Sequence, residues 1–218
     1  MFTEAPKLAK FVAAVFLLFS LALSATAQSS HEERLDKAYP RGDAYFLIGN
    51  LEKSTSYAEY AQFATIARWL SKNGFRPITN PAATITDLEE AVQNERTSLI
   101  IWSSHGNSSG IIKDTNQKVI PNDTFLKNAG PRLSHVVISS CHGDCIVKNY
   151  SLPKGGRWTY WNGITNSNAL SNYLISDKFN EDLFANMKGN GRSIELPGGA
   201  LPNGPIKEEL KSCGQVFQ

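Results

Sequence analysis

Three uninterrupted apolar runs punctuate the first two thirds of the chain: Asp43-Ala-Tyr-Phe-Leu-Ile-Gly-Asn50, Ser98 to Ser104 and His135 to Ser140. Each is strand-sized, and none alternates with polar residues. That is the pattern of a strand covered on both faces. Between the first two, Tyr57 to Asn73 carries Tyr60, Phe63, Ala64, Ala67 and Leu70 at helical spacing and stops at Gly74, which predicts an amphipathic helix with a glycine C-cap. Phe75-Arg-Pro-Ile-Thr79 reads as a short strand, near an edge because Pro77 cannot donate to a ladder. Thr84 or Thr86 then caps a helix to about Asn94, with Leu88 and Val92 facing inward and Asp87, Glu89 and Glu90 in the first turn.

Around Asp114-Thr-Asn-Gln117 two short β-like runs suggest a surface hairpin over Ile111 to Ile120. Asn122 or Asp123 is expected to cap a short helix to about Ala129, ended by Gly130-Pro131. Tyr150 to Asn168, rich in Gly, Asn and aromatics, is expected to be an ordered loop or the wall of a binding cleft. Beyond it come an expected helix over Ala169 to Lys188, a last strand over Arg192 to Leu196, a Gly/Pro loop to Pro205 and a short terminal helix over Lys207 to Ser212. Alternation of strand and helix implies βαβ units, hence an α/β fold with a mainly parallel sheet and helices on both faces.

The first 27 residues stand apart. Lys7 and Lys10 precede the apolar run Phe11 to Ser24, and Ala25-Thr-Ala27 is a small-x-small cleavage signal. At 14 residues the run is shorter than a membrane span, which needs about 20. The expected organisation is a signal peptide over 1–27, an N-terminal arm over 28–42 and one domain over 43–218. The mature protein is then secreted or periplasmic, with no stable membrane insertion after signal cleavage. The composition, 41% hydrophobic and 19% charged with a net charge of +2, is globular and has no basic stripe, so no nucleic-acid partner is expected.

Export changes the reading of the three cysteines, Cys141, Cys145 and Cys213. An odd number in an oxidising compartment leaves one thiol over. Two pairings are open: Cys145 with Cys213, leaving Cys141 free, or Cys141 with Cys145, leaving Cys213 unpaired. Asn107-Ser-Ser, Asn122-Asp-Thr and Asn149-Tyr-Ser fit glycan acceptors, with meaning only in a host that glycosylates.

Two of the apolar runs end alike. Leu99-Ile-Ile-Trp-Ser-Ser-His105 is followed by Gly106, and His135-Val-Val-Ile-Ser-Ser-Cys141 repeats the design 36 positions later. Chemistry in a parallel sheet sits at the carboxyl ends of the strands. If the two strands are neighbours, a thiol and an imidazole meet there as nucleophile and general acid/base, and a Cys-His dyad is the reading. The N–H groups of Gly106 and Cys141 are the candidate oxyanion donors, glycine allowing close approach. His135 is expected to be structural.

Both motifs resemble the paired signatures of caspase-like cysteine peptidases, a group that includes caspases, metacaspases, legumains, separases and gingipains. Ser140-Cys141-His142 is similar to the metacaspase nucleophile motif Asp-Ser-Cys-His-Ser-Gly. Tyr45-Phe-Leu-Ile-Gly-Asn50 and Ile66 to Phe75 resemble the first strand and helix of that fold, so the resemblance covers residues 43–145. It implies a three-layer αβα sandwich, peptide-bond hydrolysis by Cys141 with His105, no cofactor and a peptide or protein substrate. The chain departs at Ser139, where metacaspases carry the Asp of the pocket for Lys or Arg. Ser139 and Asp144 are the candidate pocket residues, with Asp144 equally suited to a turn or helix cap.

Three other functions compete. Cys141, His142, Cys145 and His105 offer metal-type ligands, but at irregular spacing, and no metal is expected. Cys141 and Cys145 could serve a thiol redox protein, although the spacing is Cys-x3-Cys and leaves His105-Gly106 unused. A catalytically silent caspase-like module would bind a partner in its cleft.

Overall fold

In the computed structural model, which describes residues 31–165, 170, 172, 173, 176, 193–196 and 213, the chain divides into a unit up to Pro40 and a second from Arg41 onward. Within the first unit, residues 31–38 are helical. The expected signal peptide, Pro197 to Pro205 loop and terminal helix lie outside the described residues.

The second unit begins with β1 (Gly42–Ile48), followed by α1 (Lys53–Lys72), β2 (Phe75–Asn80), α2 (Ile85–Gln93), β3 (Thr97–Ser103) and β4 (His135–Ser139). Then come α3 (Gly143–Asn149), β5 (Arg157–Trp161) and β6 (Ile194–Leu196). All six strands form one parallel sheet in the order β2-β1-β3-β4-β5-β6. β3 and β4 are central, and β2, with its proline, is at the edge, as Pro77 requires. The chain is therefore an α/β protein with an all-parallel described sheet.

The unbroken apolar runs have the expected cause. Every residue of β3 and β4 is buried, because the sheet is covered on both faces. On one face Phe46, Ile48, Leu99, Ile101 and Val137 meet Phe63, Ile66 and Leu70 of α1, with the rings of Phe46 and Phe63 stacked at 4.6 Å. On the other, Leu47, Ile100, Trp102, Val136 and Ile138 meet Leu88, Ala91 and Val92 of α2, Ile146 of α3, and Ile112, Ile120 and Phe125 of the β3–β4 connection. Thr84 is the cap of α2: its hydroxyl accepts from the Asp87 N–H while the Asp87 carboxylate accepts from the Thr84 N–H.

Three local expectations are corrected, and the hairpin over Ile111 to Ile120 is present as expected. The stripe of α1 is centred on Phe63, Ile66 and Leu70; at about 100° per residue Tyr60 and Ala64 fall on its flank, and both are exposed. Residues 122–128 form successive turns rather than a helix, and Asn128 has a φ of 55°. Asp114 organises the hairpin more than strand pairing does: its carboxylate accepts from the N–H groups of Ile85, Asn116 and Lys118, and one antiparallel bridge joins Lys113 to Val119. Finally, the expected loop over Tyr150 to Asn168 contains β5. Its buried polar residues, Arg157 and Thr159, break the apolar signature that marks the other central strands.

Those two residues have a structural partner. His135, at the start of β4, lies with Nε2 2.8 Å from Thr159 Oγ1 and Nδ1 3.3 Å from Arg157 Nη2. Burial, and secondarily the Arg157 charge, pushes the imidazole well below the ordinary histidine range. His135 sits at the amino end of the sheet, away from the carboxyl ends considered next, and its expected structural role holds.

Candidate active site

The β3–β4 register pairs Leu99 with His135 and ends with Ser103 opposite Ser139. One more ladder bond follows, from the Ser104 N–H to the Ser139 carbonyl at 3.2 Å. Continued two positions past the last strand pair, this register sets His105 across from Cys141. The two strands that the repeated motif pointed to are neighbours at the centre of the sheet, and the turns that carry His105 and Cys141 leave their carboxyl ends side by side.

The turn after each strand is fixed by close packing. Gly106 lies against the Cys141 backbone: a Cβ there would fall 2.2 Å from the Cys141 carbonyl oxygen. Only a residue without a side chain permits that approach. The His105 N–H turns outward and donates to the Asn50 carbonyl at 2.8 Å, at the end of β1. Asn50 is tied in turn to the hairpin, donating its N–H to the Lys113 carbonyl at 3.1 Å and accepting on Oδ1 from Gln117 Nε2. The imidazole of His105 belongs to an exposed residue, and Cys141 is half-buried.

Beneath the turns runs a buried polar chain. Trp102 Nε1 donates to Ser104 Oγ at 3.0 Å, Ser104 Oγ lies 3.1 Å from Ser140 Oγ, and Ser104 Oγ donates to the His105 carbonyl at 3.1 Å.

On the far side of the thiol the chain after β5 closes in. The Cys141 thiol donates to the Thr165 carbonyl at 3.6 Å, and the His142 N–H donates to the Gly163 carbonyl at 2.5 Å. His142 is left-handed, with φ 55°, and this turn drops the chain into α3 two residues after the thiol. Gly110 and Asn149 lock the loop that follows His105 onto α3: the Asn149 amide donates to the carbonyls of Ser109 and Gly110 at 2.8 and 3.0 Å. Asn149 is thereby engaged, and Asn107 accepts on Oδ1 from the Ser109 N–H at 3.1 Å.

Cys145 is buried in α3 and is disulfide-bonded to Cys213, 68 residues on, with a Cα–Cα distance of 5.2 Å; Cys141 is free. Of the two open pairings the structure has the one that spares the candidate nucleophile.

The bridge also bears on the competing readings. Ligand atoms of His142, Asp144 and Cys145 lie within 4.8 Å of one another. A disulfide sulfur carries no thiolate, so Cys145 has no ligand charge to give there. The same bond takes Cys145 away from a Cys141–Cys145 redox pair.

No family model matches the sequence, and no curated protein or solved structure matches the chain. The site therefore stands on its own geometry.

The two pocket candidates part company. Ser139 is buried inside β4, its carbonyl taken by the Ser104 N–H. Asp144 lies in the first turn of α3, with Oδ2 3.0 Å from the Cys213 sulfur and Oδ1 buried without a hydrogen-bond partner among the described residues. The Tyr160 hydroxyl donates to Glu195 at 3.3 Å while the Asn162 amide donates to Glu195 at 2.7 Å. Burial first, then the charge and hydrogen bond of Glu195 and the charge of Asp144, raise the Tyr160 phenol above its ordinary range.

Asn50, Thr165 and Glu195 were not among the residues singled out in the sequence. The Gly49-Asn50 turn closing an apolar run was visible there, but nothing in it marks Asn50 as the acceptor for His105. Thr165 and Glu195 reach the site only through β5 and β6.

Proposed function

We propose that the chain is a cysteine endopeptidase of caspase-like type that acts after export, with Cys141 as nucleophile and His105 as general acid/base. The observation that carries this reading is the β3–β4 register, with Gly106 packed on the Cys141 backbone. It supports the reading by setting the turn of His105 and Gly106 beside the turn of the free Cys141 at the carboxyl ends of the two central strands. The buried sheet beneath holds those turns rigid.

In this reading Cys141 gives its thiol proton to His105, and its sulfur attacks the scissile carbonyl carbon. Negative charge develops on the carbonyl oxygen, where the Gly106 and Cys141 N–H groups are the candidate donors. His105 gives a proton to the leaving amine as the C–N bond breaks, and an acyl thioester remains. Water, losing a proton to His105, then attacks the thioester and returns the thiol.

The substrate in this reading is a peptide or protein. The Cys145–Cys213 bridge agrees with export, since such bonds persist in oxidising compartments.

A fluorogenic peptide library tests the reading. The mature protein, kept with Cys141 reduced, is expected to release product from a subset of peptides, and Cys141→Ala to release none. Equal release by both proteins, or none from the wild type under any reducing condition, contradicts it.

A further inference from the structure

We propose that Ser104 and Ser140 are positioning residues, a buried hydroxyl pair that fixes the separation of His105 and Cys141. The inference rests on the dyad reading and adds to it the device that sets its geometry.

The need for such a device follows from where the ladder stops. The last backbone bond between these two strand ends is Ser104 N–H to Ser139 carbonyl. One residue later the His105 N–H turns away to Asn50 in the turn after β1, and two residues after Cys141 the chain has entered α3. Backbone pairing thus ends just before the two residues whose mutual placement matters most. Ser104 and Ser140 immediately precede them, 3% and 1% exposed, with hydroxyls 3.1 Å apart.

One hydrogen-bond arrangement satisfies every group. Ser140 donates to Ser104, Ser104 also accepts from Trp102 Nε1, and its own hydrogen goes to the His105 carbonyl. The chain therefore runs from a large core side chain, through the pair, to the backbone of the imidazole residue. The two turns sit as rigidly as the core beneath them. Alanine at Ser140 cuts the link between the turns while leaving Ser104 its bonds to Trp102 and His105. A purely space-filling serine is replaceable there at little cost, whereas a misplacement on the order of 1 Å between reacting groups reduces a rate up to about a hundredfold.

The test compares Ser140→Ala and Ser104→Ala with Tyr150→Phe. The last removes another buried bond on the same face of the sheet, from the Tyr150 hydroxyl to the Ile120 carbonyl. Two readouts are taken on the full chain: kcat and KM on a cleaved peptide, and the ratio of Cys141 alkylation rates by iodoacetate and iodoacetamide. An imidazolium beside the sulfur draws the anionic reagent, so the ratio reports how close His105 stands.

Ser140→Ala is expected to lower kcat about tenfold with KM within about twofold, and to lower the reagent ratio about threefold. Ser104→Ala should do at least as much, and Tyr150→Phe should change neither readout. If Ser140→Ala does not fold, Ser104→Ala carries the same comparison. A ratio that falls in His105→Ala but stays at the wild-type value in both serine variants overturns the positioning role and keeps the dyad. A ratio that ignores His105 as well overturns both.

Discussion

Gly106 approaches Cys141 so closely that a single added carbon would lie 2.2 Å from the Cys141 carbonyl oxygen and 3.0 Å from the Ser140 Cβ. The candidate oxyanion donor and the candidate nucleophile are therefore one packed unit. Neither can shift without the other.

Gly106→Ala is the direct consequence. Backbone must move to admit the methyl group, at a cost of about 1–3 kcal/mol in stability. The displaced N–H should lower peptide hydrolysis about a hundredfold, the scale of a lost oxyanion donor. Urea unfolding and turnover, measured together, check this; a variant that loses stability yet hydrolyses at the wild-type rate shows that the Gly106 N–H does not face the substrate.

The second prediction concerns Cys145 and Cys213. A non-reduced peptide map should join these two and leave Cys141 alkylatable. Cys213→Ser opens a loop of 68 residues and should cost about 4 kcal/mol by chain-entropy reasoning. Recovery of a Cys141–Cys145 peptide from the native protein contradicts the fold around α3 and favours the redox reading.

Acid sensitivity follows from His135. Its folded-state pKa lies well below the ordinary histidine value of about 6.5, because the ring is buried and Arg157 stands beside it. The unfolded chain takes up a proton near that value and the folded chain does not. Below about pH 6.5 the unfolded state is thus favoured, and stability falls as pH falls, by up to about 1 kcal/mol per pH unit from this residue. Urea midpoints between about pH 7.5 and 5.5 should decline in the wild type and decline less in His135→Gln. Parallel slopes in the two proteins remove His135 as the cause.

Much of the fold was legible because β1, β3 and β4 are buried on both faces and read as unbroken apolar runs. The edge place of β2 was written in Pro77, and the cap of α2 in Thr84 and Asp87. β5 was not legible: its buried Arg157 and Thr159 each hydrogen-bond to His135, a partner more than twenty residues earlier. Tyr60 was misplaced because helical spacing fixes a stripe only to within about a quarter turn, and the sheet decides its centre.

The site divides in the same way. The repeated strand endings named His105, Gly106 and Cys141, and the β3–β4 register sets their turns side by side, with Gly106 against the Cys141 backbone. The environment of those residues comes from distant chain. Asn50 and Gln117 meet across 67 positions, Cys141 and Thr165 across 24, and Cys145 and Cys213 across 68. No local pattern encodes such contacts. Ser139, prominent as the departure from the metacaspase motif, is buried in its strand, and the Asp144 carboxylate lies against the disulfide.

The dyad itself is tested most directly by the rate at which iodoacetamide modifies Cys141 in the native protein and in His105→Ala. Wild-type Cys141 should react faster than a free cysteine at neutral pH, and His105→Ala should slow it about tenfold or more. Reaction at the ordinary speed of a free cysteine in both proteins contradicts the assignment of Cys141 and His105 as a catalytic pair.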